Sequence, residues 1–456
     1  MNQNQHKRSA FSGKIGFVLS AAGASVGLGN IWRFPYLAAK YGGGIFLLIY
    51  IILAFTFGYT MIVAETALGR MTRKSPVGAF AAVRKGERSF GGWINAIIPI
   101  LIVPYYSVIG GWVIRYLADY ISGHGSELAA DGYFSAFISS GASAEICFVI
   151  FTIFTLAIIF AGVRNGVERV SKVMMPILVV LSVIIAGYSV TRPGALEGVK
   201  YFLVPNLSNF SWMTVVTAMG QMFYSLSIAM GILVTFGSYM KKDVSIEEST
   251  ENVDIFDTAI AIMAGLMIIP AVFSFSGGDP DTLQAGPALM FITIPKVFES
   301  MGLGTVVGIL FFTLVLFAAV TSSIALTESA VSTFEDELGW ERKQATVLIG
   351  IIMLVLGSLS ALGYGPLAQF TVFGMQFLDF FDFLTNSVMM PIAAITTCLL
   401  VSRVIGVEKI EEEVTLEDKP FRRKRIFNFM IKYLCPIFAA IILISSVANA
   451  LGVISM

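Results

Sequence analysis

The sequence has 456 residues, 56% of them apolar and only 13% charged, with 30 Lys and Arg balanced by 30 Asp and Glu. Soluble domains carry about 25% charged residues, so a soluble protein is excluded, and zero net charge offers no basic field for nucleic acid. Two histidines and the three cysteines Cys147, Cys398 and Cys435, each in or beside an apolar run, provide neither a disulfide framework nor metal-ligand spacing.

In chain order, hydropathy predicts helices able to cross a ~30 Å hydrocarbon layer at 14–38, 43–69, 91–121, 145–163, 172–190, 213–240, 255–275, 303–334, 344–362, 373–402 and 428–454. The eleven spans imply an all-α integral membrane protein in the lipid bilayer. The opening MNQNQHKRSAFSGK lacks a compact apolar core ending in a cleavage signal, so the first span is expected to be retained. With the N-terminus inside, only Arg33, Lys40, Arg115, Arg192, Lys200 and Lys296 of the 30 Lys and Arg fall outside. That bias predicts a multi-pass plasma-membrane protein with a cytoplasmic N-terminus and an extracellular C-terminus.

Among the connections, 276–302 combines turn residues with a short amphipathic pattern near 286–300, suited to a lid over an outer vestibule. The stretch 404–427, with acidic and basic runs, reads as a solvated linker with a basic juxtamembrane anchor.

Two spans carry residues that packing does not require. GASVGLGNIWRFP at 23–35 puts glycines, Asn30, Arg33 and a proline in the first helix; GQMFYSLSIAMG at 220–231 puts Gln221, Ser225, Ser227 and two glycines in the sixth. An arginine that deep must face a polar cavity and an acidic partner. These spans hold equivalent places in successive five-helix halves, which predicts an inverted repeat with both helices interrupted at mid-depth, where bare peptide groups line a cavity and hold ions. The expected divisions are a segment 1–13, repeats 14–190 and 213–402, a cytoplasmic linker 403–427 and an eleventh helix at 428–456. In the eighth span Thr321, Ser322 and Ser323 cluster, and neutral oxygens suit a hard monovalent cation such as Na+.

The strings GASVGLGNIWRFPYLAAKYGGGIFLLIY, AETALGR, AGPALMFITIP and AAVTSSIALTESAVSTFEDEL, with GQMFYSLSIAMG, resemble the neurotransmitter:sodium symporter family, in its bacterial eleven-helix branch. The resemblance implies a five-plus-five inverted-repeat transporter fold and sodium-coupled import of an amino acid by alternating access. It implies one sodium site at Ser25, Asn30, Ser225 and Asp257, and a second at Gly23, Val26, Ala318, Thr321 and Ser322. No other metal and no organic cofactor is expected. The implied substrate pocket comprises Ala24, Ser25, Leu28, Gly29, Ile102, Tyr106, Tyr224, Ser225, Ser227, Met230, Ser322 and Leu326. Ala24 stands where monoamine transporters of the family carry aspartate, and Met230 where an aromatic is frequent, which favours a hydrophobic or aromatic L-amino acid.

Asp257 stands where Asn is frequent, and Ala261 where chloride-dependent members use a serine. A fixed carboxylate beside the cation implies chloride independence. The outer gate would join Arg33, Asp382 and Gln221, and the inner gate Arg8, Asp336 and Tyr239, with Phe11 at a place often held by tryptophan. Glu65, deep in the second span, would anchor the broken sixth helix. Neither GxxxxGK[ST] nor HExxH occurs, consistent with a non-enzyme. The competing reading is the same fold acting as a channel or sensor without coupled flux.

Overall fold

The computed structural model describes residues 9–84, 89–277, 286–450 and 452–453. Among these residues nine helices are long and apolar enough to cross a membrane: Gly44–Thr72, Phe90–Ile121, Gly141–Phe160, Val163–Val190, Ile246–Ser276, Gly304–Leu338, Arg342–Leu362, Phe377–Ile405 and Lys424–Ala450. Two broken pairs complete the eleven. Lys14–Ser25 and Gly29–Lys40 form the first span, bent by 55° at the break, and Trp212–Ser225 and Ile232–Tyr239 form the sixth. The fold is the inverted-repeat transporter bundle with unwound first and sixth helices and an added eleventh.

The spans differ from the hydropathy expectation where buried polar residues begin a helix. The seventh starts at Ile246, nine residues early, because Glu247, Ser249, Thr250 and Asp254 are buried and hydrogen-bonding or packing holds them helical. The fifth starts at Val163, where Glu168 is 2% exposed and takes the Ser12 amide, the Ser12 hydroxyl and Lys172.

The 404–427 stretch is not the solvated linker its composition suggests. Val407–Val414 is a helix whose Val407, Ile410 and Val414 are buried, and its Glu413 meets the buried Arg70 of the second span, Nε to Oε1 at 2.6 Å. Arg70 also donates to the Glu413 and Val244 carbonyls. Farther along, the Arg422 and Arg423 amides both donate to Glu247, and Arg423 pairs with Glu251. The segment is a strap across the ends of the second and seventh spans.

Small residues let the second span and the lower half of the sixth meet backbone to backbone. A Cβ on Gly69 would stand 1.9 Å from the Val234 carbonyl oxygen, and one on Gly237 2.4 Å from that of Thr66. Neither partner can move without shifting a helix, the close approach that small residues permit between membrane helices. Gly69→Ala should therefore destabilise the protein by about 1–3 kcal/mol, the usual range for overpacking; a thermal melt in detergent checks this, against Gly187→Ala, where the added Cβ meets nothing within 4 Å.

Candidate functional site

The two breaks face each other. In the first span the helix ends at Ser25, Val26 turns extended with ψ 94°, and the Gly27 amide donates to Asn30 Oδ1 at 3.2 Å, so a side chain satisfies an amide the break leaves free. In the sixth span, Ser227 and Ala229 take left-handed φ of 52° and 57° before Gly231 at 71°. Left-handed non-glycine residues are strained and persist where surroundings hold them. Glu65 Oε1 accepts the Ala229 amide at 2.8 Å, and the Ser227 hydroxyl donates to the Ala24 carbonyl at 2.9 Å.

Of the residues expected at the first sodium site, Asn30 and Ser225 meet on the carboxylate of Asp257. Asp257, fully buried, accepts from Asn30 Nδ2 at 2.8 Å, from the Ser225 hydroxyl at 3.1 Å and from the Tyr50 hydroxyl at 3.1 Å. Ser25 lies against the same break, its hydroxyl 3.4 Å from the Leu226 carbonyl. Tyr50 was not anticipated, although a tyrosine inside the apolar run GIFLLIYIIL is a visible departure.

At the second set, the Ser322 hydroxyl lies 3.2, 3.2 and 3.3 Å from the carbonyl oxygens of Gly23, Ala24 and Val26. The Thr321 hydroxyl is 3.2 Å from the Ala318 carbonyl, and a Cβ on Gly23 would meet Thr321 Cβ at 3.1 Å. Three first-span carbonyls thus converge on the Ser322 hydroxyl, while the Thr321 hydroxyl, beside Gly23, turns back onto its own helix toward the carbonyls of Phe317 at 2.9 Å and Ala318.

All twelve expected substrate-pocket residues line one void, together with Gly27 and Asn30. Its volume is about 30 Å³, room for water rather than a side chain. The Leu28 amide donates to the Tyr106 hydroxyl at 3.3 Å on one wall; Ile102, Met230 and Leu326 supply apolar surface. A cavity of about 360 Å³, lined by Trp32, Arg33, Tyr36, Tyr224, Asp382 and Asn386 among others, opens above it.

The gate residues are only partly joined. Arg33 lies over the Tyr224 ring, Cζ 5.1 Å from its centroid, and makes no direct ion pair with Asp382. Asp382 accepts instead from Asn386 Nδ2 at 2.6 Å and Tyr105 at 3.3 Å, while Gln221 Nε2 donates to the Gly29 carbonyl at 3.1 Å. Both charges line the vestibule, so the direct latch is unmade in this conformation.

Arg8 lies outside the described residues, as does 278–285 of the expected lid; the lid's remainder is helical over Leu289–Thr293 and Ile294–Glu299. Asp336 accepts the Ser75 amide at 2.6 Å. Tyr239 donates to Glu328 at 2.7 Å, and Glu328, fully buried in the eighth span, pairs with Arg342; sequence reasoning missed this pair. Phe11 packs edge to face on Phe17, Phe236 and Tyr239.

A bundle of apolar spans with two broken helices enclosing a polar-ended void, beneath a vestibule, defines a membrane transporter. The chain belongs to the sodium:neurotransmitter symporter family, which matches residues 8–126 and 135–453. It is 33% identical to an uncharacterized sodium-dependent transporter of Bacillus subtilis, across 99% of this chain and 100% of that one. A sodium- and chloride-dependent taurine transporter of Rattus norvegicus is 26% identical over 90% of this chain and 73% of its own length. The solved structure of MhsT in complex with L-phenylalanine superposes with a TM-score of 0.86 at 34% identity, covering 96% of this chain and 100% of that one. The family is one of sodium-dependent transporters, not enzymes.

Removing the Glu65 carboxylate should free the strained 227–231 turn. Glu65→Ala leaves the Ala229 amide unpaired and is expected to lower stability by about 1–3 kcal/mol. Glu65→Gln, which keeps an acceptor oxygen, should lose less; melting of the purified variants in detergent distinguishes them.

Proposed function

We propose that this protein is a symporter that uses two sodium ions to import a hydrophobic or aromatic L-amino acid by alternating access, without chloride. The observation that carries the reading is the pairing of the two mid-membrane breaks around a void whose ends are polar and whose walls are apolar. In this reading residues 14–190 and 213–402 are the repeats, 403–427 is cytoplasmic, the N-terminus lies inside and the C-terminus outside.

The chemistry follows from the donors. At the first site Na+ replaces the donors now on Asp257, taking that carboxylate, Asn30, Ser225 and the Ser25 carbonyl; the substrate carboxylate completes it, and this shared ligand couples ion to solute. At the second, Ser322, Thr321 and the carbonyls of Gly23, Val26 and Ala318 are oxygens suited to a hard cation. Asp257 supplies the compensating negative charge, and Ala261, one turn on, offers no donor for a halide. The substrate carboxylate meets the amides near Leu28 and Gly29 and the Tyr106 hydroxyl; the side chain enters between Ile102, Met230 and Leu326. The small void requires Tyr224 and Met230 to give way, and Met is pliable enough to do so. The relative crystallised with L-phenylalanine supports an apolar side chain.

Arg33 and Asp382 form the outer latch as the Tyr224 ring closes, and Tyr239 and Asp336, with Arg8, the inner one. At ~100 mV each Na+ gains ~2.3 kcal/mol and a tenfold gradient adds ~1.4, so two ions supply ~7.4 kcal/mol, at most about a 10^5-fold accumulation.

The deciding experiment is uptake of L-phenylalanine into proteoliposomes under an inward Na+ gradient. Accumulation that collapses when choline replaces Na+ supports symport; current without stoichiometric solute would mean a channel. Replacing chloride by gluconate should leave uptake unchanged, and strict chloride dependence refutes the role given to Asp257. Ser322→Ala should raise the Na+ concentration for half-maximal uptake about tenfold, the equivalent of losing one ~1.4 kcal/mol oxygen ligand.

A further inference from the structure

The first sodium site continues into a polar file that transport by two sites does not use. On the seventh span Glu247, Thr250, Glu251, Asp254, Asp257 and Thr258 recur at three- and four-residue spacing, so they share one helical face running from the strap to the Asp257 carboxylate. A helix that only packs would place aliphatic residues there.

Asp254 is the anomaly. It is fully buried, and among the described residues neither carboxylate oxygen has a hydrogen-bond partner. The Thr250 and Thr258 hydroxyls, one turn to either side, are 0% and 5% exposed and also without partners. Threonines in membrane helices ordinarily satisfy themselves on the carbonyl one turn back, as Thr217, Thr327 and Thr333 do here. These two do not. Four buried oxygens in a row lack protein partners, and buried polar groups without partners are rare and costly.

The charges nearest Asp254 are Asp257, Glu251 and Arg423. Arg423 is committed to Glu251, Nε to Oε1 at 3.3 Å, and to the ring of Tyr59, 5.0 Å from its centroid, so it closes the file without a direct contact to Asp254. An oxygen-only set with a carboxylate suits a hard monovalent cation, and intramembrane acids mark ion paths.

We propose that Asp254 is a further sodium station, one helical turn beyond the first sodium site, with the Thr250 and Thr258 hydroxyls lining the file one turn to either side, through which the ion leaves toward the face closed by the strap. The station rests on the reading of Asp257 as a sodium ligand. An ion released from Asp257 travels about 4.5 Å along the helix axis, the rise of three residues, to reach Asp254. Beyond it stand Glu251 and Glu247, and the ion exits when Arg423 lifts.

The test compares wild type with Asp254→Asn, using radioactive sodium and L-phenylalanine. Equilibrium Na+-dependent L-phenylalanine binding in detergent should stay within about twofold of wild type, because Asp254 is not a ligand of the occupied site. Sodium release after dilution, and Na+-driven uptake in proteoliposomes, should each slow by at least about tenfold, with Asp254→Glu partly restoring both. Wild-type release and uptake in Asp254→Asn would overturn the station. So would a loss of pH dependence with unchanged sodium release, which means the carboxyl carries a proton instead, or a loss of equilibrium binding, which makes Asp254 part of the first site. If Asp254→Asn does not fold, the Thr250→Val, Thr258→Val protein provides the same comparison, and unchanged sodium release there overturns the proposal. Absence of Na+-dependent binding in wild type would instead sink the symport reading itself.

Discussion

Four spans meet on the Asp257 carboxylate. Asn30 reaches it from the break in the first span, Tyr50 from the second and Ser225 from the break in the sixth, while Asp257 itself stands on the seventh. An anionic group at that depth is several kcal/mol out of place unless donors or a cation surround it. That requirement fixes how the spans approach one another. Asn30 is oriented by the Gly27 amide on its other end, so the bond to the first break's free amide and the contact to Asp257 are one side chain's two hydrogen bonds.

The breaks are held open from the rest of the bundle. The left-handed turn at 227–231 is strained, and Glu65 and Ala24 fasten it, while Gly69 and Gly237 draw the second span against the lower half of the sixth. Arg70, one residue beyond Gly69, then binds the strap. Strain at the breaks, close packing beside them and a buried ion pair beneath form a continuous support. With Arg33 resting on Tyr224 and Asp382 occupied by Asn386, the vestibule stands open above the small void.

Much of this was legible in the chain itself. Glycines, Asn30 and Arg33 inside one apolar run, and Gln221, Ser225 and Ser227 inside another, are expensive in lipid, so the position of both breaks followed from composition and periodicity. The hydroxyl triplet at 321–323 marked the eighth span for the same reason. What stayed hidden depends on partners distant in sequence. Tyr50 donates to a carboxylate 207 residues away, and Arg70 pairs with a glutamate 343 residues away. Hydropathy averaging also trimmed the seventh span, since Glu247 and Asp254 resemble loop residues until their burial is known. The strap was misread because its acidic and basic runs match the ends of the second and seventh spans, not water.

The central claim is that a cation and the acid end of a small solute share the space between the two broken helices. Equilibrium binding of radiolabelled L-phenylalanine to the purified protein, titrated with Na+ at constant ionic strength, tests it directly. Affinity should rise steeply with Na+ and vanish in choline. Equal binding in both would contradict the account.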